Sequence, residues 1–280
     1  MIKTATSQPN LTILLLGTGG TIAGLLEDGS QAKQDGAYKS AMLLVEALIP
    51  ASNHSIISEQ IAQIDSKDMS FEIWERLHVR ISQAQSDPTI HAIVITHGTD
   101  TMEETAYFLH RTLVCLKPVI LTGAMRPADA ADSDGPQNMA FALDQAEQLG
   151  AGVWVAFAGK VFSGGNVQKV HPTRLDAFEG NSPQALPRVA LQLPVAHWPR
   201  VEIVLSYVGA SGALVDALIT QKVDGIVVAG TGNATVHLAL QASLDKAREA
   251  GIAVVPTTRC LAGRAVQARI DLMLRLMQRA

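Results

Sequence analysis

Residues 14–24 read LLLGTGGTIAG. They close an apolar run that starts at Thr12 and stops in a cluster of glycines enclosing Thr18 and Thr21. An unbroken apolar run halted by glycines reads as a strand buried on both faces of a parallel sheet, leading into a tight turn. Such a turn either cradles a phosphate or displays a side chain. The dinucleotide fingerprint G-x-G-x-x-G needs glycine or alanine at its third place. Gly17 and Gly19 fit, but Ile22 stands there instead. The acidic ribose ligand should end a second strand about 20 residues further on. Glu46 is the nearest by count, and it lies in a helix-like stretch. No Gly-Lys-Ser/Thr follows either. The phosphate reading is disfavoured, which leaves a turn built around Thr21, either a buried turn residue or a displayed hydroxyl.

The same pattern recurs along the chain. Further strands are expected at Ala92–Thr96, Val119–Thr122, Val153–Ala158, Val201–Tyr207, Gly225–Ala229 and Ala253–Pro256, beside the first at Thr12–Gly17. Between them lie helical stripes. In 71–85, Phe71, Trp74, Leu77, Ile81 and Ala84 share one face. Similar stripes fall near 103–114, 137–149, 235–249 and 266–278. Alternating strands and helices predict an α/β doubly wound fold with a mostly parallel sheet. The stretch 183–200, PQALPRVALQLPVAHWPR, holds four prolines. Prolines disrupt helices and central strands, so it reads as a linker between a larger N-terminal α/β domain, 1–182, and a smaller C-terminal one, 201–280.

Bulk properties narrow the function classes. The chain has 280 residues, 48% of them hydrophobic, which suits one large domain or two modest ones. The formal net charge is −4, and no block of like charge stands out. Nucleic acid is not an expected partner, because neutralising phosphates needs clustered Lys and Arg. No membrane is expected either, since no apolar run reaches the roughly 18 residues of a span. The segment MIKTATSQPNLTILLLG carries one lysine, a short apolar stretch and no small-residue cleavage site. It is expected to be a first strand rather than an export signal, which points to the cytoplasm. Cys115 and Cys260 match no metal spacing and are expected to be free, partly buried thiols.

Several loops carry chemistry. In VITHGTDTMEET, 94–105, a strand ends and a helix begins. Thr101 and Glu104 have capping-box spacing. Thr99 and Asp100 therefore sit at the carboxyl end of a parallel strand, where open α/β sheets bind ligands. Asp100 is either a cap or a ligand carboxylate. In TGAMRPADAADSDGPQN, 122–138, Arg126 and Asp134 read as a structural ion pair rather than as catalytic groups. In DSKDM, 65–69, Ser66 and Lys67 precede a helix expected near Ser70. Ser66 is either a cap or a carboxylate ligand. Lys169, in GGNVQKVHPT, is a surface lysine unless it faces a threonine, where a desolvated amine can act as a base. His97 reads as a loop histidine fixing local structure. No HExxH pair appears among the eight histidines, so no metal site is expected.

Together these segments resemble the bacterial-type L-asparaginase family, including its glutaminase-asparaginase members. GTGGTIAG at 17–24 and THGTDTMEET at 96–105 look like its two threonine signatures; TGAMRP at 122–127, SDGPQN at 133–138, GIVVAGTGN at 225–233 and VQARIDLMLRLM at 266–277 match further segments. The resemblance implies two α/β domains, with sites at the carboxyl edge of the N-terminal sheet. It implies a homo-oligomer, a dimer or a dimer of dimers, whose neighbouring subunits complete each other's sites. It also implies hydrolysis of the side-chain amide of L-asparagine through an acyl-enzyme, with no metal or organic cofactor. Carried over, Thr21 corresponds to the nucleophile, and Thr99, Asp100 and Lys169 to the second catalytic group. Tyr38 corresponds to the tyrosine of the loop over the site. Ser66, Asp100, Gly20 and Ala124 correspond to substrate contacts, and Asn233 to the asparagine near the partner's site.

Two departures stand out. Exported members commonly carry glutamine where this chain has Lys67. A fixed ammonium there would hold the substrate α-carboxylate by charge, and asparagine is expected to be preferred over glutamine. TTRCLAG, 257–263, also passes almost directly to RAVQARIDLM. A segment of roughly 20 residues normally lies between, often with a glutamate reaching the neighbouring site, so the substrate amine is expected to lack one partner.

Overall fold

The computed structural model describes residues 10–26, 38–180, 187–263 and 265, with backbone alone at 38–41. The stripe expected at 266–278 lies outside them. The chain divides into two compact units, 1–195 and 196–280, so the boundary falls inside the proline-rich stretch.

The first unit holds β1 (Thr12–Gly19), β2 (Gly24–Leu26), β3 (Tyr38–Met42), β4 (Ser55–Ile64), α1 (Phe71–Ser86), β5 (Ala92–Thr96), α2 (Met102–Thr112), β6 (Pro118–Thr122), α3 (Gly135–Gln145), β7 (Gly152–Phe157), β8 (Lys160–Ser163), β9 (Val167–Lys169) and β10 (Phe178–Gly180). Its main sheet runs β4-β1-β5-β6-β7-β8. The first five strands are parallel, and β8 returns antiparallel to β7. Counting only the parallel strands, the order is 2-1-3-4-5. The chain reverses its direction of travel between β1 and β5, and that is where such sheets open a crevice at their carboxyl edge.

Side-chain alternation along these strands fills both faces. Ile13, Leu15, Val94 and Ile120 pack with Met139, Ala142 and Leu143 of α3. Leu14, Leu16, Ile93, Ile95 and Leu121 are equally buried. Helices α1 and α2 meet through Trp74 and Phe108, stacked with centroids 4.7 Å apart. Arg80 on α1 grips Glu59 on β4 through two bonds of 2.6 Å, and this pairing lowers the Glu59 carboxyl below its ordinary range.

The second unit contains β11 (Val201–Leu205), α4 (Ala213–Thr220), β12 (Gly225–Gly230), α5 (Leu238–Glu249) and β13 (Ala253–Thr258). Its three strands are parallel in the order β11-β12-β13. Val204, Ile226, Val228 and Val254 form its core with Val215, Leu218, Leu240 and Leu244.

Of the elements that differ from the expectation, three show a plain physical reason. Strand β4 has no continuous apolar run: Ser58, Glu59, Gln60 and Gln63 interrupt it, as suits a sheet edge. Strand β7 ends one residue early because Ala158 (φ 48°) and Gly159 (φ 72°) make a two-residue turn into β8. Helix α3 starts at Gly135, with Pro136 in its first turn. Both cysteines are free, but Cys260 is exposed rather than partly buried. Among the described residues, no helix is long and apolar enough to cross a membrane. No group of three or more His, Cys, Asp or Glu among them is placed to hold a metal ion.

Candidate active site

Strands β1 and β5 end side by side at the reversal point. The Thr18 hydroxyl donates to the Thr96 carbonyl at 2.8 Å and locks the two ends together. The chain then turns through Gly19 (φ 96°) and Gly20 (φ 80°), a left-handed region that disfavours side chains. Space demands glycine as well. A Cβ on Gly20 would lie 2.3 Å from the Gly98 nitrogen, and one on Gly98 would lie 2.5 Å from Ser66 Oγ. The backbones of the Thr21 turn, the 97–101 loop and the Ser66 turn are therefore in direct contact. Thr21 opens a short 3-10 turn, Thr21–Ala23, immediately after the second glycine.

Thr101 corrects one expectation. It does precede α2, but its side chain makes no capping bond. The hydroxyl donates instead to the Ser66 carbonyl at 2.7 Å and ties the Ser66 turn to the start of α2. Ser66 is buried in its own 3-10 turn, Ser66–Asp68, capped by Asp65. The cap of α1 is Ser70, whose Oγ accepts from Ile73 N–H. Lys67 pairs with Asp68, and both side chains are exposed.

Lys169, at the end of β9, does face a threonine. Its Nζ donates to Thr99 Oγ1 at 2.9 Å and to Asp100 Oδ1 at 2.6 Å. Thr99 is buried, and only 15% of the Lys169 side chain is exposed. Glu103, which the sequence did not single out, accepts the Lys169 backbone N–H and anchors β9 to α2. Burial pushes the Glu103 carboxyl above its ordinary range, an effect the bond to Lys169 opposes.

His97 lies beneath this loop and is fully buried. Its Nδ1 is 2.7 Å from the Gly98 carbonyl, which can only accept, so Nδ1 carries the proton. Nε2 then accepts from the Thr105 hydroxyl at 2.9 Å, and Thr105 Oγ1 accepts from Trp74 Nε1 at 2.8 Å. Desolvation holds the His97 pKa at about 4. An unfolded histidine titrates near 6.5. The neutral form therefore stabilises the fold fully above about pH 6.5, and that contribution is lost as pH falls towards 4. Its full size is ~3 kcal/mol. Denaturant unfolding of the parent and His97→Gln at pH 7 and pH 4.5 checks this: the parent should lose more stability on acidification. Equal losses would show that His97 titrates normally.

Asp134 corrects the expected ion pair with Arg126. Its carboxylate accepts the backbone N–H groups of Met125 and Arg126 at 2.9–3.0 Å. The Arg126 guanidinium reaches Asp132 at 3.4 Å and the Thr173 carbonyl at 3.2 Å. A tight turn at 125–126 presents N–H groups that need an acceptor, and the nearer carboxylate supplies it.

Two family models cover this chain. One, described as asparaginase, N-terminal, matches residues 12–200; the other, described as glutaminase/asparaginase C-terminal domain, matches residues 200–279. The chain belongs to the asparaginase family. A probable periplasmic L-asparaginase of Haemophilus influenzae is 37% identical over 94% of this chain and 81% of its own length. L-asparaginase 2 of Escherichia coli is 34% identical over 95% and 83%. A crystal structure of a probable cytoplasmic L-asparaginase from Campylobacter jejuni superposes with a TM-score of 0.79 at 33% identity, covering 95% of this chain and 88% of that one.

Within this member of the asparaginase family, the Gly20–Thr21 turn, Ser66, Thr99, Asp100 and Lys169 gather at one end of the first sheet. Ala124 follows β6 at the same edge and is buried. Lys67 lies beside Ser66 but turns its ammonium to Asp68. Tyr38 begins β3, opposite Leu26 of β2, and its side chain lies outside the described residues. Asn233 belongs to the second unit, exposed in the 230–235 turn that Thr231 and Thr235 close. The sequence singles out neither Glu103 nor Asn138 nor Thr105, and it places Trp74 only on the apolar stripe of α1. Their roles depend on partners distant in sequence, except that SDGPQN already placed Asn138 near a conspicuous turn.

Proposed function

We propose that this chain is an L-asparaginase that hydrolyses the side-chain amide of L-asparagine to L-aspartate and ammonia. The observation that carries the reading is Lys169 Nζ within hydrogen-bond reach of both Thr99 and Asp100, on a loop pressed against the Thr21 turn. The relatives named L-asparaginase support the substrate.

Thr21 Oγ attacks the amide carbon. Its proton passes to a base, assigned to Tyr38, and on to the leaving nitrogen, which departs as ammonia. Water then attacks the ester. Thr99 accepts the water proton and hands its own to Lys169, which returns it to Thr21 Oγ as aspartate leaves. For this, Lys169 must first be a neutral amine. Its own proton leaves to solvent as the substrate ammonium takes over the Asp100 carboxylate that otherwise pairs with Lys169. Ser66 takes the substrate α-carboxylate, Lys67 adds charge beside it, and Gly20 and Ala124 line the reacting amide. No step calls for a cofactor. The working form is a homo-oligomer, a dimer or a dimer of dimers, in which Asn233 serves the partner's site, and its place is the cytoplasm.

The interlocked loops leave little slack between the head-group contacts and Thr21. Glutamine, one methylene longer, should misplace its amide. Discrimination by one methylene amounts to roughly 10- to 200-fold. Ammonia release across concentrations of both amides should give kcat/KM for asparagine at least ~10-fold above that for glutamine. Near-equal values would overturn the preference, and no release from either would overturn the function.

A further inference from the structure

Both peptide groups that flank Ala124 are pinned from the side of α3. Asn138 Nδ2 donates to the Gly123 carbonyl at 2.9 Å. The Asp134 carboxylate accepts Met125 N–H at 3.0 Å. The two pinning side chains are themselves fixed. Asn138 Nδ2 also donates to Asp134 Oδ2 at 3.0 Å, and Asn138 Oδ1 accepts Ala158 N–H at 3.0 Å. Both side chains are buried.

In a trans peptide, C=O and N–H point in opposite directions. Holding the Gly123 carbonyl towards Asn138 turns the Ala124 N–H away from α3. Holding the Met125 N–H towards Asp134 turns the Ala124 carbonyl away as well. Among the described residues, neither Ala124 group has a hydrogen-bond partner. Buried backbone groups are nearly always paired, so this pair is set for something the fold does not supply. The neighbours point to the reaction centre. A Cβ on Gly135 would lie 3.1 Å from Ile22 Cγ1, next to Thr21, and 3.6 Å from the Ala124 Cβ; one on Gly123 would lie 2.3 Å from the His97 carbonyl.

We infer that Asp134 and Asn138 are positioning residues that aim the Ala124 N–H and C=O at the reacting carboxamide of the substrate. This rests on the asparaginase reading above. A primary amide offers one acceptor and two donors, and it matches both Ala124 groups. An ester of the same skeleton lacks the donors, so it gains nothing from the Ala124 carbonyl.

The test compares kcat/KM for L-asparagine and L-aspartate β-methyl ester in the parent, Asp134→Ala, Asp134→Asn and Asn138→Ser. With Asp134→Ala, asparagine should lose about 10- to 100-fold and the ester less than about 3-fold. Asp134→Asn keeps one acceptor oxygen for the Met125 N–H and should recover most of the asparagine loss. Asn138→Ser frees the Gly123 carbonyl and with it the Ala124 N–H, whose partner is the carbonyl oxygen that both substrates carry, so it should lower asparagine and the ester alike. If Asp134→Ala lacks cooperative thermal unfolding, Asp134→Ser takes its place in the comparison. Equal losses on both substrates with the Asp134 variant would reduce Asp134 to a structural support and overturn the inference, as would full asparagine activity in any folded alanine or serine variant. Failure of the functional reading looks different: the parent itself would release neither ammonia nor methanol, and the inference would fall with it.

Discussion

Thr21→Ala is expected to lower kcat for asparagine by at least ~10³-fold while leaving the fold intact. The substitution removes the one hydroxyl that the turn after β1 presents beside the Gly98 backbone. Its neighbours, Gly19, Gly20, Ile22 and Ala23, carry no nucleophile. Thr18 has a hydroxyl, but it is buried and committed to the Thr96 carbonyl. No other residue of this turn can therefore stand in for the lost oxygen. Stability should change little, because Thr21 opens a short turn whose buried anchors are Ile22 and Ala23. Thr21→Ser keeps the oxygen and loses a methyl, so it should retain far more activity than the alanine variant. Thr18→Val should do the reverse, lowering the melting temperature through its unpaired Thr96 carbonyl. Initial rates of ammonia release, with thermal unfolding of each variant, separate the cases. If Thr21→Ala keeps more than about a tenth of the parent rate, an acyl-enzyme on Thr21 is ruled out.

What the sequence made legible, and what it hid, follows from the range of each interaction. The runs at Thr12 and Ala92 announced buried strands, because a residue buried on both sides must be apolar wherever it lies. The edge strand β4 stayed hidden, because among the described residues it pairs on one side only, with β1, and its apolar run is broken by Ser58, Glu59 and Gln60. The turn at Ala158 and Gly159 was also hidden, since alanine gives no local sign of a positive φ. The glycines of the Thr21 turn were visible, but the reason for them was not. Gly20 is required by Gly98, 78 residues away, and that contact exists only once β1 and β5 lie side by side.

The candidate site divides in the same way. Thr99 and Asp100 could be placed at a strand end from local pattern alone. Lys169 could not be placed beside them, because its partners lie 69 and 70 residues away. The resemblance to a family supplied that link. Asp134 shows the opposite error. A carboxylate and a guanidinium eight residues apart suggest a pair, but a carboxylate is also the best acceptor for two adjacent backbone N–H groups, and here those groups are closer. Charge pattern read along a sequence overlooks the backbone as a partner.

Lys169→Met is expected to lower kcat by ~10²- to 10⁴-fold, with a smaller change in KM. Methionine keeps the length of the stem and removes the amine, so the loss measures proton transfer rather than packing. The buried Thr99 hydroxyl would remain, but with no group to receive its proton. Arginine should not restore the rate, because a guanidinium does not give up its proton in this range. Thr99→Val should cost a similar factor, and the double variant should cost little more than either single one. Groups that act as one relay are not additive. Two independent contributions would multiply instead, which makes the double variant the deciding measurement. Lys169→Ala adds a second check, since a small primary amine supplied in solution should recover part of the rate at saturating asparagine. Asp100 bears on both results. Its carboxylate is 2.6 Å from Lys169 Nζ, and it is also the proposed seat of the substrate ammonium. Asp100→Asn should therefore raise KM as well as lower kcat, whereas Lys169→Met should act mainly on kcat. If Lys169→Met instead raises KM and spares kcat, the lysine holds substrate and moves no proton, and the base for deacylation must be sought elsewhere.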